Sequence, residues 1–406
     1  MKSIVRIGIV LGFAFLAVAT SFDPASCQSA QVKAIRERLK TRPNDPTLYY
    51  YLAMFETADG NKAAAVEAMK QVLVLGKGFL PSKGGGFDPI WDDSAFSATR
   101  LELERKLPKV TAARELFRLE KNLIPEGIAF DPVSRSYFVG SIAESKIVRV
   151  DAQGAVTDLS KPGELSRVLG LAVDSERRRL YAVSTTALTS GAPINQVVSY
   201  DLAAGKHDRT IGIPAAAQLN DIAITTTGDL YVSDTQGGGI YRIHRESGKV
   251  DTVVAGSLPG ANGLALSADG SALYVAHSTG VARIELSSGA VLPRIEVPAG
   301  ETVAAIDGLY TDGNTLIGIQ NVTNPGRVIR IHMGKGGKGA ERIETLLSHH
   351  HPAIDEPTTG VIVGRSFTLL ATTQVARFTP EGTITSPETL KAPVILSIEL
   401  DRGKRN

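Results

Sequence analysis

Leu219-Asn220-Asp221-Ile222-Ala223-Ile224, followed by Gly228-Asp229-Leu230-Tyr231-Val232-Ser233-Asp234-Thr235, sets a short apolar run, a Gly turn and a second β-rich run in succession. A third run, Gly239-Ile240-Tyr241-Arg242-Ile243-His244, completes it. Runs of this length broken by Gly and Asp predict a small antiparallel meander. The phrase returns five more times, beginning at Glu126, Leu169, Asn262, Asp307 and Thr359, so that the six copies start 42 to 52 residues apart. Third strands are expected at 147–150, 196–200, 281–284, 327–331 and 374–378. Repeats of about four short strands at a period of about 40–45 residues are the mark of propeller blades around a channel. The expected fold is therefore mainly β, a six-bladed β-propeller over residues 113–406.

Radial repetition has a consequence for chemistry. The innermost strand of each blade runs along the channel, so residues at one offset meet in a ring at one mouth. That offset holds Glu126, Leu169, Asn220, Asn262, Asp307 and Thr359. Glu126, Asn220, Asn262 and Asp307 offer oxygen donors and two formal negative charges, a set suited to a hard divalent cation. Calcium is the first expectation, with magnesium or manganese behind it. No Cys or His stands in the ring, which argues against a zinc site there. The competing explanation is that Asn, Asp and Gly are ordinary turn residues, but turns alone predict no preference for one offset.

With Pro125-Glu126-Gly127, Asn220-Asp221, Asn262-Gly263-Leu264 and Asp307-Gly308 in order, the stretch from about Ile124 to Leu400 resembles the gluconolactonase and regucalcin-like family. The wording Asn-Asp-Ile and Ala-Asn-Gly is also similar to paraoxonase-type arylesterases. The resemblance implies one divalent metal held by Glu126, Asn220, Asn262 and Asp307, with Asp307 doubling as general base. It implies hydrolysis of a lactone or related ester, the ion polarising the carbonyl and lowering the pKa of water. Asp221 then contacts substrate or orients a ligand; its bland alternative is a turn cap. Gln218 stands where the sugar-lactone members carry Arg, and Ile128 and Phe130 replace their Pro and Trp. Metal binding survives these departures, whereas sugar-acid specificity does not. His277, at the end of the second strand of blade four, is a candidate substrate contact or proton shuttle, as are His349, His350 and His351 at lower weight.

Before the propeller the pattern changes. Residues 1–30 read as a secretory signal, with Lys2 and Arg6 ahead of an apolar run from Ile7 to Ala19, predicting an exported protein, periplasmic or secreted. Pro24 three positions before Cys27, the single cysteine, disfavours a lipid anchor. Residues 31–107 carry helical periodicity. Tyr49, Leu52, Ala53, Gly60, Ala65, Met69 and Leu73 resemble one tetratricopeptide-type hairpin, with Glu56 where an aromatic is usual. One hairpin cannot bury both its faces, so it should pack on another helix, on the propeller or on a protein partner. The alternating stretch 115–120 is expected to seal the ring beside 394–400.

Several classes are excluded or disfavoured. With 44 basic and 42 acidic residues and a net charge of +2, no block of one sign invites nucleic acid. No run suits an integral membrane domain. A Gly-x-Ser-x-Gly elbow is absent, which disfavours a serine hydrolase, and the Gly334–Gly339 stretch lacks the Ser or Thr of a phosphate loop. Two function classes stay open: a metal-dependent hydrolase of a lactone or ester, and a non-enzymatic propeller that binds a ligand or protein.

Overall fold

The computed structural model describes residues 24–186, 193–379 and 381–401. Most of the predicted leader, and the last five residues of the predicted propeller, lie outside them. Six four-stranded antiparallel sheets form the six blades, each ordered from the channel outward. Blades one to five each take one continuous stretch: 125–158, 167–212, 219–254, 264–292 and 306–347. Apolar residues on facing blades interlock between neighbouring sheets, as where Phe138 and Ile147 of blade one pack with Val168 and Leu180 of blade two.

Blade six closes the circle. Its strands run Gly360–Val363, Ser366–Leu370, Val394–Glu399 and, outermost, Arg114–Arg118 from before blade one. Arg114 faces Ser397 and Phe117 faces Ile395, so the propeller's first and last strands are held in one sheet and no edge is left between first and last blade. The expected third strand at 374–378 is corrected: the strand is Val394–Glu399. Gln374 takes a left-handed backbone conformation (φ 60°), and Val375–Arg377 coils into a short 3-10 turn. The Gln374 side chain bonds both the N–H and the C=O of Lys391, closing the intervening segment into a loop.

Among the described residues four α-helices precede the propeller: α1 (Pro24–Thr41), α2 (Pro46–Ala58), α3 (Lys62–Leu75) and α4 (Ser94–Arg105). Asp45 caps α2 by accepting from the Thr47 amide, with Pro46 in the first turn, where a missing N–H is harmless. Asp93 caps α4 through the Ala95 and Phe96 amides. The Gly-rich loop between α3 and α4 folds inward, bringing Phe87 against Tyr50 and Phe96 in the helical core.

The hairpin α2–α3 finds its partners within this chain. It packs between α1 and α4, and it docks on the propeller. Tyr50 donates to the Val322 carbonyl and Tyr51 to that of Ser278. Lys77 donates to Gly300, Leu80 to Thr323, and Asp45 pairs with Arg294 at 2.7 Å. All these contacts fall in connections after second or fourth strands. In an antiparallel blade those connections lie at the end where first strands begin. The helices therefore sit beside the mouth that carries the ring, over blades four and five.

Among the described residues no helix is long and apolar enough to cross a membrane.

Candidate metal centre

The first strands do not start regularly. In blade one Pro125 pairs with Ser141 and Ile128 with Val139, leaving Glu126 and Gly127 in a register shift. The same shift holds Leu169 and Gly170 in blade two, Asn220 and Asp221 in blade three, and Asp307 and Gly308 in blade five. A bulge re-aims one side chain out of the alternating pattern, a common device beside functional sites. Glycine after the ring residue lets neighbouring first strands touch: a Cβ at Gly127 would collide with the Leu169 carbonyl, and one at Gly263 with that of Asp307. This close approach draws the ring residues together.

The ring's two carboxamides are pinned through their nitrogens. Asn262 donates to Asp307 Oδ1 at 2.9 Å, and Asn220 donates to Thr235 Oγ1 at 2.9 Å. With each amide nitrogen occupied, the two carboxamide oxygens are the atoms left for a ligand. Asn321 donates to Asp307 Oδ2 at 2.6 Å and to the Pro357 carbonyl at 3.0 Å. Asp221 Oδ2 accepts from the Leu264 amide of blade four at 2.8 Å, so it staples two blades rather than capping a turn. Leu169 fills its ring position with an apolar side chain. Thr359 turns its hydroxyl to the Glu126 carbonyl at 2.5 Å and closes blade six onto blade one.

Electrostatics single out the carboxylates. Glu126 is only 5% exposed, and its Oε2 is buried with no hydrogen-bond partner. Burial lifts its pKa well above the ordinary carboxylate range, and the charges of Asp307 and Asp221 lift it further. Asp221 is pushed up to about 7, chiefly by burial, with Asp307 adding to it and the Leu264 and Ile222 amides opposing. Burial pushes Asp307 up to about 6 against the opposing bonds from Asn321 and Asn262. Glu356 is likewise raised to about 7, by burial first, and Asp307 is among the charges that act on it. No arginine or lysine is among the groups that shift Glu126, Asp221 or Asp307. Buried carboxylates without a counter-charge are costly, and one unpartnered oxygen among them fits a bound cation. Oxygen donors alone suit calcium or magnesium.

Tyr310 and Thr359 line, with Asp221, a channel cavity of about 220 Å³ beneath this cluster. Tyr310 accepts from the Gly360 amide at 2.7 Å, in space left by the missing side chain of Gly308.

The structure brings Glu126, Asp221, Asn262 and Asp307 into one electrostatic and hydrogen-bonded group, with Asn220 at the same level of blade three. It does not bring in His277. That residue is 7% exposed and pushed down to about 4 by burial and then by Arg294, not by the carboxylates. Its Nδ1 faces the Thr279 amide at 3.4 Å, a contact within the turn. Gln218 is part-buried in the approach to blade three, its backbone N–H on Asp234. Of the three consecutive histidines, His351 accepts from the Ala353 amide, and the other two pack on α4. Asn321, Tyr310 and Glu356 are members that sequence reasoning missed. Asn321 had a signal available: like Thr235, it follows a second strand and bonds the ring residue of its own blade.

The sequence model described as SMP-30/Gluconolactonase/LRE-like region matches residues 124–345, more than half of the chain. Among solved structures, a gluconolactonase from Xanthomonas campestris is similar at 16% identity, covering 72% of this chain and 91% of that one with a TM-score of 0.51. A luciferin-regenerating enzyme is similar at 15% identity, covering 72% and 96%, also with a TM-score of 0.51. At these identities the likeness is one of fold. No curated protein matches the chain in sequence.

Proposed function

We propose a function from one premise: the chain belongs to the SMP-30/gluconolactonase/LRE-like family. The family supports a lactone hydrolase type of activity, and the reading we favour is a divalent-metal-dependent hydrolase of a lactone or related ester. The observation that carries it is the buried, unpartnered Glu126 Oε2, in a group that also feels the charges of Asp307 and Asp221 and has no positive side chain among the groups that shift it. Glu126, Asn220, Asn262 and Asp307 are the residues that would hold the ion, calcium by the chemistry of the donors. When bound, such an ion supplies Lewis-acid polarisation of a carbonyl and acidifies water.

The side chains divide the remaining work. Asp307 is the general base: Asn262 and Asn321 fix both its oxygens and hold it in one orientation, which is what proton transfer at a defined atom requires. Asp221 stays part-buried at the cavity wall, where it meets the substrate or orders its polar edge. Gln218, in place of a cation, favours a neutral ester or lactone over a sugar acid. The apolar run from Ile7 to Ala19 supports export to the periplasm or medium.

A second reading, a ligand-binding propeller without turnover, is favoured by Leu169 in the ring. Turnover of a lactone and aryl-ester panel with calcium decides between them. Asp307→Asn should lower kcat by about 10²–10⁴-fold with the fold retained. Absence of turnover by the wild type on every member would sink the hydrolase.

A further inference from the structure

A second cluster of ligating side chains lies away from the channel, where α4 meets the loop between blades five and six. One ligand atom from each of Glu104, His349 and His350 falls within 4.8 Å of the other two. His349 Nε2 stands 3.9 Å from Glu104 Oε1, too far for a hydrogen bond. The two imidazoles lie close together, centroids 4.0 Å apart and planes tilted by 33°. Both ring nitrogens of His349 are sealed from solvent, and neither has a hydrogen-bond partner. An imidazole always carries at least one N–H, so a satisfied buried histidine donates somewhere. His349 is short of a partner on both sides.

His350 already has a partner that fixes its ring. Ser348 Oγ donates to the Val110 carbonyl at 3.1 Å and accepts from the Val110 amide at 3.1 Å. Its one proton being used there, the 3.0 Å contact with His350 Nδ1 is made by an Nδ1–H donating to the hydroxyl. Nε2 is then the ring nitrogen left to face a ligand. An acceptor taking the N–H of the far nitrogen is the usual arrangement behind a metal-ligating imidazole.

We propose that Glu104, His349 and His350 form a second metal site, for zinc or a similar borderline transition ion, that clamps the helical domain to the propeller. Two imidazoles and a carboxylate suit zinc and not calcium, so the site differs in ion as well as place from the ring. A tetrahedral zinc with ligands at about 2.0–2.1 Å keeps them about 3.3 Å apart. The three ligand atoms stand within 4.8 Å of one another, and the Glu104 side chain, 40% exposed, has room to turn toward the histidines. The fourth position is left to water. The clamp joins two separate parts of the chain, α4 and the loop leading into blade six, beside the Val110 segment that connects the domains.

The test uses the full chain, stripped with a chelator and then saturated with calcium, titrated with zinc chloride by calorimetry and by thermal midpoint. One zinc should bind and raise the midpoint. Glu104→Gln and His350→Ala should each weaken zinc at least about tenfold, and Ser348→Ala about 10–100-fold. Glu104 lies at the surface, so its variant separates lost ligation from lost folding. Zinc-edge X-ray absorption should show imidazole nitrogens at about 2.0–2.1 Å. Asp307→Asn should leave zinc binding unchanged. Absence of zinc binding, undiminished binding in Glu104→Gln and His350→Ala, or its loss in Asp307→Asn would overturn the proposal.

Discussion

Asp307 shows what a single position must satisfy here. It accepts from Asn262 across one blade boundary and from Asn321 within its own blade, and both bonds draw its pKa down while burial pushes it up. Asn321 touches no substrate in this account and acts as a positioning residue. Asn321→Ala should reduce calcium affinity about 10–100-fold, measured by calorimetry, with a smaller change in thermal midpoint without metal. Unchanged calcium affinity would remove Asn321 from the site. The sequence pointed to Asp307 because its offset and following glycine repeat from blade to blade. Asn321, Tyr310 and Glu356 reach the cluster from a second-strand end, mid-strand and a left-handed loop residue, and no offset shared by all three exists to find them.

At the scale of elements, the decisive feature is the bulged start of the first strands. Two residues sit in the shift, the first aimed at the channel and the second, in most blades glycine, pressed against the neighbouring strand. Gly127→Ala would force the Leu169 carbonyl aside at the blade one to blade two contact. Its cost should be about 1–3 kcal/mol of stability by urea denaturation, accompanied by weaker calcium binding. Tolerance of the alanine without either effect would contradict the close approach described. Five of the six blades were legible in the sequence because each follows its phrase without interruption. In blade six the closing pair, 115–120 beside 394–400, was legible as well, but the place of its third strand was not, since the loop from Ala371 to Pro393 contains an alternating Gln-Val-Ala-Arg-Phe stretch that reads as a strand yet is bent at Gln374. Where on the propeller the helices dock was also hidden. Tyr50 and Tyr51 bond backbone carbonyls of the propeller, and a carbonyl acceptor leaves no mark in sequence.

For the whole molecule, the cluster at the ring ties stability to pH and, under the proposed function, to metal. The folded pKa values of Asp307, Asp221 and Glu356, at about 6, 7 and 7, lie above the ordinary carboxylate values of about 4. Groups raised in this way bind more protons folded than unfolded. Their contribution is fully present below about pH 4 and is lost as pH rises through 6 to 7. The metal-free thermal midpoint should therefore fall between pH 5 and pH 8 where these groups dominate, and calcium should restore it. Calcium affinity should rise over the same interval, because the ligands must shed their protons to bind. A metal-free midpoint that climbs across this interval would contradict the uncompensated charge.

The most direct measurement is a calorimetric calcium titration of the chelator-treated protein at pH 8, wild type beside Glu126→Gln. The account predicts one calcium per chain for the wild type, with about 2.7 kcal/mol of added stability at a hundredfold excess over Kd, and loss of both in the variant. Equal calcium binding by the two proteins, or none by the wild type, would contradict it.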